Sequence, residues 1–240
     1  MSDGLDMKRR PHEAPCDPPD PPAANGEAAA ARAVAERAAA LAGEGKVEEA
    51  RSEFAHALEQ GGADVRVLFL CFQFHIRIGE YDAAEAFARR RLAAVGEDTA
   101  TPHTARAYTN LGLVLHFRGN DAEARAAFER AIDIDTRLGF EYGLARDLGN
   151  LSLIPEKLGD FDQAESLLTK ALEIAQRIGA EDLAATKYTN LGDIALARGQ
   201  PEVARHHWAH ALAIFQRLGP RKHFDEYAAK LAALDSPSSP

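Results

Sequence analysis

Three asparagines recur at a strict spacing of forty residues, Asn110, Asn150 and Asn190, and an arginine stands four residues before the first two of them, Arg106 and Arg146. A primary amide offers both a donor and an acceptor, so a row of amides can hold the backbone of an extended peptide whatever its side chains. A guanidinium adds a charge-assisted fork for a carboxylate. The chemistry in prospect is recognition of a peptide bearing acidic residues, with no bond made or broken. The competing reading is that the asparagines bond to one another or to nearby backbone and serve only to fix the stacking of repeats.

Few other residues suggest chemistry. His206 and His210 lie one helical turn apart. Zinc takes three or four protein ligands, however, and the sequence identifies no further Cys, Asp or Glu to complete a set. Of the two cysteines, Cys16 sits in a Pro-rich segment and Cys71 in an apolar run. Cys71 reads there as a small buried hydrophobe. No nucleophile elbow, phosphate loop, dinucleotide-binding glycine pattern or H-E-x-x-H motif occurs. His103 and His116 have no evident triad partners. The expectation is therefore a protein with no catalytic residue, no metal and no cofactor. A metal-dependent sensor using the His206/His210 turn stands as an alternative.

The elements that must position the asparagines are helices. Each Asn opens an Asn-Leu-Gly or Asn-Leu-Ser triplet: Asn110-Leu111-Gly112, Asn150-Leu151-Ser152 and Asn190-Leu191-Gly192. A glycine follows nine residues later (Gly119, Gly159, Gly199), then an alanine five beyond that (Ala124, Ala164, Ala204). The blocks close on Arg137-Leu138-Gly139, Arg177-Ile178-Gly179 and Arg217-Leu218-Gly219. Self-similarity at such a period marks stacked supersecondary units, each too small to bury its own apolar face. Alanine is abundant, β-branched residues are sparse and apolar positions recur at steps of three and four, so the units are helical.

The alanine of the second helix gives the register: Ala50, Ala84, Ala124, Ala164 and Ala204, one step of thirty-four and then three of forty. Five helix pairs are expected near 27–60, 63–95, 101–138, 141–178 and 181–218. An amphipathic helix over 221–234, with Phe224, Tyr227, Leu231 and Leu234 on one side, would cap the array. Residues 1–26 hold six of the twelve prolines and read as a disordered tail, with a second short one at 235–240. Pro155, inside a first helix, should kink it or remove a hydrogen bond.

Composition bounds the partners. Hydrophobic residues make up 46% and charged residues 27%, ordinary for a soluble globular chain. The net charge of −9 is spread along the sequence, which argues against nucleic-acid binding. The longest apolar run, Val67 to Phe72, is far shorter than the roughly 20 residues of a membrane helix. No secretory signal follows the N-terminal basic residues, and two cysteines suit a reducing cytoplasm.

The motifs resemble the tetratricopeptide repeat (TPR). In the third unit they read Tyr108, Leu111-Gly112, Leu115, Ala124, Phe128, Ala131, and in the fifth Tyr188, Leu191-Gly192, Ala195, Ala204, Trp208, Ala211. The fourth is weaker, and the first two keep mainly their second halves (Ala50, Phe54, Ala57; Ala84, Ala88). The 40-residue form is similar to repeats of kinesin light chains and polarity adaptors. The resemblance implies an all-α, right-handed solenoid of five helix pairs whose first helices line a concave groove that binds a protein or peptide. Within each pair, Gly or Ser of the first helix should sit opposite Ala of the second, with Phe128, Leu168 and Trp208 filling the space beside the crossing. Leu111 and Leu115 face the second helix, which turns Asn110 and Arg106 away from the intra-repeat core. Asn110, Asn150, Asn190, Arg106 and Arg146 are thus the candidate ligand-binding residues of a non-enzymatic adaptor. A structural subunit that self-associates or docks permanently on a partner is a second alternative, motivated by the run from Val67 to Phe72.

Overall fold

The computed structural model describes residues 22–219 and 221–235. Most of the two expected tails, with Cys16, lies outside the described residues. Among those described there are twelve α-helices and no strand. The chain forms two compact units, one ending at Ile134 and the other beginning at Asp135, so that the division falls inside a helix.

The first unit holds α1 (Gly26–Gly43), α2 (Val47–Gly61), α3 (Val65–Arg77), α4 (Tyr81–Val95), α5 (Pro102–Phe117) and most of α6 (Asp121–Leu138). Alanines dominate its first pair: Ala31, Ala35 and Ala38 of α1 bury against Ala50, Phe54 and Ala57 of α2. Small side chains let the two backbones approach closely. The following helix is apolar almost all round, with Val67, Leu68, Phe69, Leu70, Cys71 and Phe72 each 4% exposed or less. The apolar run that motivated an assembly surface is therefore spent inside the unit.

In the pair of α5 and α6 the expected packing takes a more specific form. The space a Cβ on Gly112 would occupy is filled by the ring of Phe128, whose Cε1 is 2.6 Å away. What glycine accommodates is the aromatic ring itself, more than the facing alanine.

The second unit holds α7 (Glu141–Leu151), α8 (Leu153–Lys157), α9 (Phe161–Arg177), α10 (Glu181–Ala197), α11 (Pro201–Leu218) and α12 (Arg221–Asp235). Here Trp208 stands to Gly192 as Phe128 does to Gly112. Trp208 is fully buried and donates its indole N–H to the Thr189 carbonyl at 3.3 Å. Where the sequence has Pro155, the first helix is split in two at Ser152. Proline has no N–H to offer Leu151. The Ser152 hydroxyl turns back to the Gly149 carbonyl at 2.7 Å.

The corners explain the spaced glycines. Gly119, Gly159 and Gly199 have φ of 82°, 78° and 72°, a left-handed conformation that costs glycine nothing. Each lets the next residue's N–H reach back to the helix it leaves. Asn120 reaches Leu115, Asp160 reaches Pro155 and Gln200 reaches Ala195, all at 2.9 Å. The closing Arg-x-Gly triplets also acquire a role. Arg177 meets Glu141 and Arg217 meets Glu181, at 2.6 and 2.7 Å, tying the end of a pair's second helix to the start of its first. These pairs are exposed and contribute at most about 1 kcal/mol each.

The last helix covers the end of the array. Tyr227 is 1% exposed beside Trp208, with Phe224, Leu231 and Leu234 packed around it. Lys230 lies over both rings and pairs with Asp193 at 3.0 Å.

Candidate functional site

All five candidate residues are on first helices: Arg106 and Asn110 on α5, Arg146 and Asn150 on α7, Asn190 on α10. Their surroundings differ sharply. Asn110 is only 5% exposed, and its Nδ2 has no hydrogen-bond partner. Leaving such a donor unpaired costs about 1–3 kcal/mol, so it is a point where a ligand acceptor would be rewarded. Asn190 is 6% exposed and Asn150 is half-buried. The amides are thus set deep in the surface and do not stand out from it. In the fifth repeat the stripe beyond Asn190 is occupied from within the chain, because Tyr227 and Lys230 of α12 both bond to Asp193.

The two arginines divide in the same way. The guanidinium of Arg106 lies over the ring of Phe69, 4.5 Å from its centroid. That of Arg146 is held by Asp147 through two bonds, Nε to Oδ1 at 2.9 Å and Nη2 to Oδ2 at 3.1 Å, with Asp135 at 3.6 Å. Both carboxylates are fully buried. Arg146 is therefore already engaged as a fork, by residues of its own unit.

Two features escape a reading that follows the asparagines alone. Counting eighteen residues back from the second-helix alanines Ala50, Ala84, Ala124 and Ala164 reaches Arg32, Arg66, Arg106 and Arg146. An arginine thus occupies one register position in four successive repeats, and its first member, Arg32, is held by both oxygens of Asp64 at 2.9 Å. The next register position reads Ala33, Val67, Ala107, Asp147 and Lys187, and after the exposed Ala33 all are 3% exposed or less. In the second unit an apolar column has become an acid and a base. Lys187 runs its ammonium across the bare backbone of Gly149, inside the space a Cβ there would take.

The other residues considered for chemistry do not assemble into a centre. His206 and His210 face each other, Nε2 to Nε2, at 3.2 Å on an exposed turn, and Tyr188 stacks on His210. No group of three or more His, Cys, Asp or Glu side chains among the described residues could hold a metal ion. Burial first, then the neighbouring His206 and His210, lowers the pKa of His207. Cys71 is fully buried and its thiol is pushed up to about 12 by desolvation, which leaves it an inert hydrophobe. His75 and His116 each bond through Nδ1 to the acid that begins the next helix, Glu80 and Asp121, both at 2.8 Å. Among the described residues no helix is long and apolar enough to cross a membrane.

A stack of short helix pairs, joined at glycine corners and packed by Gly against aromatic, defines a helical-repeat protein. The family model for the tetratricopeptide repeat matches residues 73–137, 103–177 and 148–217, together more than half of the chain, and the chain belongs to that family. Its repeats serve as protein-interaction scaffolds that are typically non-catalytic. Comparison with curated protein sequences returns no significant match. Among solved structures, BtubC (BKLC) from P. vanneervenii is 24% identical with a TM-score of 0.61, covering 88% of this chain and 84% of that one. A kinesin light chain-like repeat protein of Podospora anserina is 15% identical with a TM-score of 0.64, covering 81% and 99%. A Rap protein complexed with competence and sporulation factor is 15% identical with a TM-score of 0.69, covering 80% of this chain and 55% of that one.

Proposed function

We propose that this protein is a non-enzymatic adaptor that captures a peptide segment of a partner protein in the groove lined by its first helices. Asn110, Asn150 and Asn190 would bond to the peptide backbone, and the arginines of the neighbouring turn would select acidic character. The observation that carries the reading is the buried Asn110 amide, on a first helix, with an unpartnered Nδ2. The similarity to a Rap protein solved with its factor lends support from a relative of the same architecture.

The test replaces Asn110, Asn150 and Asn190 together by Ala. Capture of a defined partner, identified from native extract and then purified, should be lost while helical content and thermal midpoint stay close to wild type. Undiminished capture by the folded triple variant would sink the assignment.

A further inference from the structure

The groove reading leaves one cluster of metal-ligating side chains unused, on α11 in the second unit. His206 and His210 are both exposed, and their Nε2 atoms stand 3.2 Å apart. The rings meet edge to face, with centroids 4.5 Å apart and planes at 85°. His210 is also steadied by a stack on Tyr188, whose hydroxyl accepts from Gln176 Nε2 at 2.9 Å.

Zinc binds imidazole nitrogen at about 2.0–2.1 Å, so two nitrogens at a tetrahedral angle lie about 3.3–3.4 Å apart. A square-planar ion at the same bond length would need them about 2.8–3.0 Å apart. The separation in this pair is closer to the tetrahedral one. In the metal-free chain one Nε2–H donates to the other Nε2. Zinc takes the place of that proton, and each ring then keeps its hydrogen on Nδ1.

Two imidazoles supply only half of a zinc shell, because protein sites provide three or four ligands. Glu202, one turn before His206, is turned to Arg205 at 3.2 Å. Among the described residues no third donor joins the pair. A second copy of the chain supplies what is missing, since twofold symmetry brings the same patch of each copy to one axis. Val203, three residues before His206 on that side of the helix, is 45% exposed and would be covered by the same contact.

We infer that His206 and His210 form a zinc half-site, and that one Zn²⁺ bridges two copies of this chain through four imidazoles. The pair lies on a second helix, whereas the groove residues are all on first helices, so pairing and peptide capture draw on different side chains.

Light scattering on the full chain without a histidine tag tests it, at about pH 7.5 because the ligands must be deprotonated. Added Zn²⁺ should double the mass of the particle and EDTA should restore it. Protein dialysed against zinc should carry one metal ion per two chains by plasma mass spectrometry. His206→Ala and His210→Ala alter only exposed side chains and should each abolish the doubling, with melting as in the wild type. His56→Ala removes an exposed histidine of α2 and should leave the doubling intact.

A mass that zinc does not change overturns the inference. So does one zinc per chain, which would mark an adventitious chelate on a single helix. A doubling that survives in either variant of the pair, or is lost equally in His56→Ala, overturns it as well.

Discussion

The ring of Phe128 occupies the space that a side chain on Gly112 would need, its Cε1 lying 2.6 Å and its Cζ 3.0 Å from where the Cβ would be. One methyl added there must push a fully buried ring in a fully packed crossing. Gly112→Ala removes a helix-interior glycine, which is worth about 1 kcal/mol in favour of the variant. Overpacking costs about 1–3 kcal/mol, so the net effect runs from near neutral to destabilising by roughly 2 kcal/mol. The fourth repeat shows the compensated form of the same site, with Ser152 in place of the glycine and Leu168 in place of the ring. Chemical denaturation should therefore find Gly112→Ser far less harmful in a Phe128→Leu background than in the wild type. Additive losses would refute the close-contact account.

Arg146 and Arg106 share a register position but should differ in what their removal does to stability. Arg146→Gln leaves Asp147 and Asp135, both fully buried, without their guanidinium. Breaking a buried pair in this way costs about 3–5 kcal/mol. Arg106→Gln gives up the contact with Phe69, worth about 0.5–1 kcal/mol at a half-exposed site. Urea midpoints of the two variants should separate clearly, with Arg146→Gln the lower. Equal midpoints would mean that the buried carboxylates draw their compensation from other groups.

The parts of the fold legible in the sequence are those set by local rules. The forty-residue spacing, the glycine corners and the Leu-Gly core all follow from period and packing. The helix pairs, with Tyr227 of the cap against Trp208, express them. The candidate site was less legible. Asn110 and Asn190 are more deeply buried than a helix-face argument conveys, because that argument sees one helix and not its neighbours. The arginine ladder was present in the register of the second-helix alanines but is invisible when only asparagines are followed. Asp147 and Lys187 could have been found as charges in a column that is Val67 and Ala107 in earlier repeats. That Arg146 is engaged by Asp147, its neighbour in sequence, depends on side-chain geometry that spacing does not encode.

Cys71 should be chemically silent in the native protein. Its thiol is fully buried and pushed up to about 12, so almost no thiolate exists at neutral pH and no reagent reaches it. In the variant Cys16→Ser, which leaves this as the only cysteine, Ellman's reagent should detect no rapid thiol under native conditions and one equivalent in denaturant. Fast native reaction would show that α3 opens locally.

Glu80 and His75 make acid stability depend on pH in two separable windows. Arg51 first, and His75 second, hold the Glu80 carboxyl down at about 2, below its ordinary 4.5. The stabilisation from its ionised form is complete above 4.5 and is lost as pH falls from there through about 2. Burial lowers the pKa of His75 below 6.5, outweighing the opposite pull of Glu80. Its neutral form is the one the fold prefers, so stability is kept above 6.5 and declines as pH falls below that value. Glu80→Gln should therefore flatten the fall in thermal midpoint below pH 4.5. It should also steepen the fall just below 6.5, because His75 loses the carboxylate that eased its protonation. Midpoints measured from about pH 7.5 to about 2.5 for wild type and variant would reveal both changes. Parallel curves would show that this cluster does not govern the acid limb.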